Sequence, residues 1–242
     1  MHYVEPRLVA LYDLENPRGP DTDFYLDLAN EIDARSIIDL GCGTGLLTRE
    51  FATGVRRVTG VDPSAAMLEV ARSKPNAERV TWVEGDASSF GDRDADLVVM
   101  TGNVAQVFLD ESSWAGTLEA IHGALRPGGH LAFESRNPVA RAWEQWTRES
   151  TFERAESPYG PMECWLELVS VSPGRVVFEG HNVFLSSGEV LVARSELRFR
   201  SQEELTRSLD RAGFVVEHVF GSWKRDPFSP GSRMMLFVAR RS

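Results

Sequence analysis

The chain has 242 residues, 42% of them hydrophobic and 26% charged, a usage that excludes a disordered chain and suits one domain with an insertion. Its formal net charge of −10 works against nucleic acid as a partner, because binding to phosphates draws on a basic footprint. Cys42 and Cys164 form neither a metal-ligand spacing nor a disulfide framework. No stretch approaches the ~18 apolar residues of a membrane helix, and the N-terminus lacks a basic-then-apolar leader pattern. A cytoplasmic protein without metal or membrane is expected.

In chain order, residues 12–20 are turn-rich, and Asp21-Thr22 can cap a helix carrying Phe24, Leu28 and Ile32 at helical spacing. Residues 36–40 read as a buried strand, and Leu46, Leu47, Phe51 and Ala52 as one face of a helix. A second strand over 57–61, a helix start at Asp62-Pro63-Ser64 and a helix over 66–74 follow. Strands three and four fall at 80–83 and 96–100. Trp114, Leu118, Ile121 and Leu125 predict a helix over 111–125, stopped by Arg126-Pro127-Gly128-Gly129 before a fifth strand at 130–134. This alternation predicts a doubly wound α/β sheet.

The rhythm then changes. Asn137-Pro138 opens a helix carrying Trp143 and Trp146, and β-rich runs at 162–171, 175–185 and 189–199 are separated by Ser172-Pro173-Gly174 and Ser186-Ser187-Gly188. Short turns between successive strands predict an inserted three-stranded antiparallel meander. Ser201 and Glu204 form a capping box, and 214–220 with 234–239 make a closing strand pair, for about seven strands in the main sheet. The expected division of this single domain is 1–34 as a cap, 35–136 as core, 137–200 as a substrate-covering meander and 201–242 as the end of the core.

The first strand-to-helix turn reads Asp39-Leu40-Gly41-Cys42-Gly43-Thr44-Gly45. In open α/β sheets such a turn presents backbone N–H groups and a helix N-terminus to whatever binds at the carboxyl ends of the strands. A dinucleotide fingerprint would place its third glycine where this chain has Leu46. Asp62 lies 21 positions after Gly41, where an acid can accept hydrogen bonds from ribose hydroxyls of either a dinucleotide or another adenosine cofactor. Asp86, at the end of the third strand, can accept from an exocyclic adenine amine.

Together with Val58 to Ser64, Glu84 to Ala87, Asp96 to Asn103 and Leu125 to Glu134, this ordered set resembles the class I S-adenosylmethionine-dependent methyltransferases. The resemblance implies a Rossmann-like sheet, mostly parallel with an antiparallel last strand. It also implies S-adenosylmethionine as cofactor, S-adenosylhomocysteine as product, and in-line methyl transfer to O, N or C of a small molecule. By the same resemblance, Gly41, Cys42, Gly43 and Gly45 border the methionine and ribose parts, and Asp39 lies near the amino group. Asp62 meets the ribose diol, with Pro63 and Ser64 beside the adenine; Asp86 meets the adenine amine and Ala87 packs on the ring. Thr101 and Asn103 line the methyl end. A cofactor with a sulfonium and an ammonium but no phosphate suits carboxylates better than a pyrophosphate does. The rival readings are a non-catalytic S-adenosylmethionine-binding sensor or assembly protein, and an NAD(P)-dependent oxidoreductase.

Methyl transfer depends on alignment and exclusion of water, so the acceptor side is read from residues that can position or cover. Glu134, Arg136, Tyr12 and His181 are candidates to act on the acceptor, and Tyr12, Trp143 and Trp146 to bind it. Tyr3 and Tyr25 share the lid segment with Tyr12. For each, packing or solvation is the competing role; Arg194, Glu196, Arg198 and Arg200 in particular read as a solvated strand face.

Overall fold

A computed structural model describes residues 5–90 and 94–242; Tyr3 lies outside the described residues. The main sheet contains β1 (Ser36–Leu40), β2 (Arg57–Asp62), β3 (Val80–Glu84), β4 (Ala95–Met100), β5 (Leu125–Arg136), β10 (Phe214–Phe220) and β11 (Met234–Arg241). Its order is β10-β11-β5-β4-β1-β2-β3. β1 pairs in parallel with both β2 and β4, and β11 runs antiparallel between β5 and β10. Strand order therefore reverses at β1 and β4, which opens a crevice beyond their carboxyl ends.

Ile37, Ile38, Leu97, Val98, Val99 and Phe133 are all buried, as central strands covered on both faces must be. One face packs on α5 (Glu111–Ala124) and α7 (Gln202–Arg211), through Trp114, Leu118, Leu205 and Leu209. The other packs on α2 (Pro20–Glu31) and α3 (Leu46–Phe51), through Phe24, Leu28, Leu47 and Phe51. α4 (Ala65–Ser73) connects β2 to β3. The capping box at Ser201 and Glu204 is present in full.

Four local expectations are corrected. The stretch read as turn-rich contains the end of a helix, α1 (Pro6–Glu15), whose burial comes from tertiary contacts more than from a strong periodic face. α2 starts at Pro20 after Gly19, so Asp21 and Thr22 lie within it. The expected helix after Asn137 is instead two 3-10 turns, Pro138–Ala140 and Ala142–Gln145, interrupted by Arg141 at φ 46, before the short α6 (Arg148–Thr151). The turn Arg126 to Gly129 lies inside β5 as an irregularity, between the Ala95↔Leu125 and Leu97↔His130 pairs.

The inserted meander has four strands, not three: β6 (Glu153–Ser157), β7 (Gly160–Ser172), β8 (Arg175–Phe184) and β9 (Glu189–Arg198), paired in that order. β6 reads Glu-Arg-Ala-Glu-Ser, without an alternating apolar face, so its pairing with β7 rather than its own pattern makes it a strand. The inner face of the sheet carries Val176, Phe178 and Phe184, which pack on other elements, while Glu179 and His181 alternate to the outer face. Among the described residues no helix is long and apolar enough to cross a membrane.

Arg200 is not solvated. β9 ends at Arg198 and the alternation ends with it, so Arg200 is buried, with its guanidinium 5.3 Å from the centre of the Trp114 ring. It donates to Glu111 at 3.2 Å and to the Phe108 carbonyl at 2.9 Å. It thereby ties the return of the meander to the loop after β4. Arg200→Met keeps the stem but strands these acceptors, and should cost about 3 kcal/mol in urea unfolding; a loss below about 0.5 kcal/mol would put the residue among ordinary surface positions.

Candidate active site

The glycine turn folds over the end of β2: the Gly41 and Cys42 N–H groups both donate to the Val61 carbonyl, at 2.7 and 3.1 Å. Gly41 has φ +76, and a Cβ there would lie 2.4 Å from the Val104 side chain. Gly43 has φ +53, but a Cβ there would meet only the Tyr12 ring, at 3.6 Å. Close packing therefore requires glycine at 41, whereas at 43 bare peptide is left facing the underside of α1. Gly45 stands at the start of α3, and Cys42 is buried, which pushes its thiol up and away from nucleophilic use.

Three carboxyl groups converge below this turn. Asp62 is buried and accepts the Gly43 N–H on one oxygen and the Ser64 N–H on the other, each at 2.8 Å. Burial raises its pKa, and these two backbone bonds oppose the rise. Ser64 caps α4, and Pro63 beside it is exposed. Asp39, 1% exposed, accepts the Thr48 hydroxyl on Oδ2 at 2.6 Å, while its Oδ1 is buried with no hydrogen-bond partner. Desolvation pushes its pKa up to about 7 against the Thr48 bond, with Asp62 and Glu134 adding repulsion. Glu134, 2% exposed, is raised chiefly by desolvation and accepts from the Tyr25 hydroxyl and the Asn103 N–H. Its role in the described structure is to anchor the loop after β4.

Asp86 is exposed and accepts the Ser88 hydroxyl at 2.6 Å and the Ser88 N–H at 2.9 Å, bonds that hold it below the usual carboxylate range. It caps the 3-10 turn Ala87–Ser89, in which Ala87 is buried. The Gly85 N–H donates to the Asp62 carbonyl at 3.0 Å, which sets Asp86 beside the end of β2.

α1 lies over the turn. Asp13 accepts from both the Thr44 hydroxyl and the Lys74 ammonium, and Lys74 also reaches the Thr44 carbonyl at 3.2 Å. Under the helix is a cleft of about 300 Å³ lined in part by Tyr12, Glu15, Asp21, Asp39, Thr101 and Gly102. Asn103 adopts φ 63, and its Oδ1 is a second buried oxygen without a partner.

The structure thus brings Tyr12, Asp39, Gly41, Cys42 and Thr101 to one cleft, with Gly43, Asp62 and Asn103 beside it. Arg136 stands farther along, bonded to Gln106 at 2.9 Å and 5.6 Å from the centre of the Trp146 ring. Trp143 packs edge-on against Phe199 at 4.7 Å, within the meander's own core. His181 is not brought to the cleft: it stacks on Trp165 on the outer face, 3.3 Å from Glu167. Sequence reading missed Thr48, which holds Asp39, and the Asp13, Thr44 and Lys74 clamp. Thr48 and Asp13 are polar residues within helices, whereas Thr44 lies in the glycine turn and Lys74 just past α4, where their sequence gives no sign of a shared partner.

These residues fit S-adenosylmethionine. Asp39 Oδ1 is an acceptor lacking a donor, and no salt bridge to a described cation neutralises Asp39, Asp62 or Glu134. A pyrophosphate would meet carboxylates where it needs donors. Because Asp39 titrates at about 7 when folded against 3.8 ordinarily, its contribution to stability is full below 3.8 and is lost as pH rises through about 7. Thermal unfolding without cofactor should therefore show Asp39→Asn gaining on the unmodified chain across this window and holding its lead above it. A pH-independent difference would contradict the raised value.

Residues 37–129 match the methyltransferase domain family. A cypemycin N-terminal methyltransferase of Streptomyces is 27% identical over 87% of this chain and 84% of its own length. A malonyl-[acyl-carrier protein] O-methyltransferase of Pectobacterium atrosepticum is 32% identical over 45% of this chain, and the match spans only 44% of that relative. The solved structure of an S-adenosylmethionine-bound amino pentose methyltransferase from Micromonospora echinaspora has a TM-score of 0.71 at 21% identity, covering 96% of this chain and 97% of the other, and shares the fold. The domain match lies over the strands that carry the glycine turn, Asp39 and Asp62, and together with these likenesses it supports a class I S-adenosylmethionine-dependent methyltransferase with S-adenosylmethionine as its cofactor.

Proposed function

We propose that the enzyme methylates the nitrogen of a small amine held between α1 and the meander. The observation that carries this reading is the charge of the cleft: besides Asp39, which the cofactor would use, its ionisable lining residues other than Tyr12 and Cys42 are Glu15 and Asp21, with no lysine or arginine among them. Such a lining attracts cations and hydrogen-bond donors and repels carboxylate or phosphate acceptors. Of the relatives above, the cypemycin N-terminal methyltransferase, matched over most of this chain, supports nitrogen, and the malonyl-[acyl-carrier protein] O-methyltransferase, matched over less than half of it, does not.

S-adenosylmethionine, when bound, supplies an electrophilic methyl group on a positive sulfur. The chain's own work is then to hold, align and dry. Asp39 would take the methionine ammonium on its unpaired oxygen, and Gly41, Cys42, Gly43 and Gly45 would give peptide contact. Asp62 would hold the ribose diol, with Pro63 and Ser64 at the adenine, Asp86 at its amine and Ala87 against its ring. Thr101 and Asn103 would border the reacting end without placing an anion beside it, where charge would favour the ground state. Tyr12 and α1 close the site and exclude water.

Asp62 serves both the turn and the proposed ribose contact, so Asp62→Asn should weaken S-adenosylmethionine binding about tenfold to hundredfold in calorimetry; unchanged affinity would remove it from the ribose. With tritiated methyl donor, a panel of small primary and secondary amines should accept label while the matched alcohols do not. Label on alcohols alone would reject the nitrogen assignment.

A further inference from the structure

The inner face of the meander is covered at its two ends and narrows to a glycine and an alanine between them. At one end Trp143, Trp146 and Phe199 pack with Val176, against Phe178 and Leu197. At the other, Leu8 and Leu11 of α1 pack with Met162 and Phe184. Between them Leu166 packs against the first cluster and Leu191 against the second, while Gly180 and Ala193 are half-buried on the same face. A Cβ at Gly180 would meet only Leu166 at 3.7 Å and the Ala193 carbonyl at 3.9 Å, both within its own sheet. Gly180 is not in the left-handed region, so no backbone requirement explains a strand-weakening glycine there; room for an approaching group does.

Next to Gly180 on this face stands Asn182, 6% exposed, paired across the ladder with Cys164 and Leu191. Its Oδ1 is buried and has no hydrogen-bond partner. An unpaired buried amide oxygen works against folding and is out of place among apolar neighbours unless something else uses it. This face is linked to the cleft at its α1 end. Glu15, which lines the cleft, is close enough to Cys164 to add, with Glu153, to the rise that burial gives its thiol. At the far end Trp146 carries Arg136, which is bonded to Gln106 in the loop that also supplies Gly102 to the cleft.

We infer that the gap over Gly180 seats the apolar body of the methyl acceptor, and that Asn182 selects an acceptor bearing a hydrogen-bond donor. This inference rests on the amine reading given above, and it assigns the selection to one residue that takes no part in holding the cofactor.

The test uses the full chain saturated with S-adenosylhomocysteine, cyclohexylamine as the probe and cyclohexanone, which has no donor, as its control, followed by nitrogen-edited NMR. Cyclohexylamine should move the Gly180 backbone amide and the Asn182 side-chain amide, and cyclohexanone should do so only at much higher concentration. Asn182→Leu should weaken cyclohexylamine about tenfold with S-adenosylhomocysteine affinity unchanged and a melting temperature equal or higher, because the unpaired oxygen is gone. Gly180→Leu should exclude the probe, again with the cofactor product bound normally. Still signals at 180 and 182, equal binding of the ketone, or an Asn182→Leu chain that melts several degrees lower while binding the probe unchanged would each overturn the assignment. Failure of the amine reading beneath it shows separately, as label passing from the tritiated donor to alcohols and not to amines.

Discussion

Asp39, Asp62 and Glu134 are buried at the ends of β1, β2 and β5, and no described salt bridge neutralises any of them. Burying uncompensated charge is costly, and the chain limits that cost with hydrogen bonds from Thr48, Gly43, Ser64, Tyr25 and Asn103 and with raised pKa values. The arrangement remains incomplete at Asp39 Oδ1. A ligand that brings positive charge and donors finishes it, which is why the same acids that burden the empty fold favour a cationic adenosine cofactor.

This constraint shapes what surrounds it. Asp62 grips the Gly43 peptide, so the carboxylate that would hold ribose also sets the turn that would hold methionine. Glu134 grips the Asn103 peptide and thereby the loop bordering the reacting end. Above them, α1 is pinned on one side by Asp13 to Thr44 and Lys74 and on the other by Arg7, which donates to Glu189 of β9 at 2.7 and 2.9 Å. The lid therefore couples the cradle to the meander through part-exposed polar contacts and through the buried cluster of Leu11, Met162 and Phe184.

How much of this was legible follows from where the signals reside. β1, β2, β4 and β5 announce themselves because each is a short apolar run ended by an acid or a glycine, and those punctuating residues are the ones that face the crevice. α1 was not legible, since Leu8 and Leu11 are buried by the meander and Asp13 by partners 31 and 61 positions away. The Asn137-Pro138 start does cap a turn, with Asn137 accepting from the Val139 N–H at 3.1 Å, but Arg141 breaks the helix that the cap suggests. Trp143 and Trp146 looked like a binding wall because aromatic spacing cannot tell a pocket from a small core. Asn182 carried no signal at all: a polar residue in a half-buried strand becomes informative only once its oxygen is known to lack a partner.

The most direct measurement is the pH titration of the Asp39 carboxyl by carbon NMR, with and without S-adenosylmethionine. Alone, Asp39 should titrate near 7, and saturation with the cofactor should move that midpoint clearly downward as the ammonium meets its free oxygen. A midpoint that stays the same in both states would mean that this carboxylate does not receive the cofactor's charge, and the explanation of why the acids are buried there would fall with it.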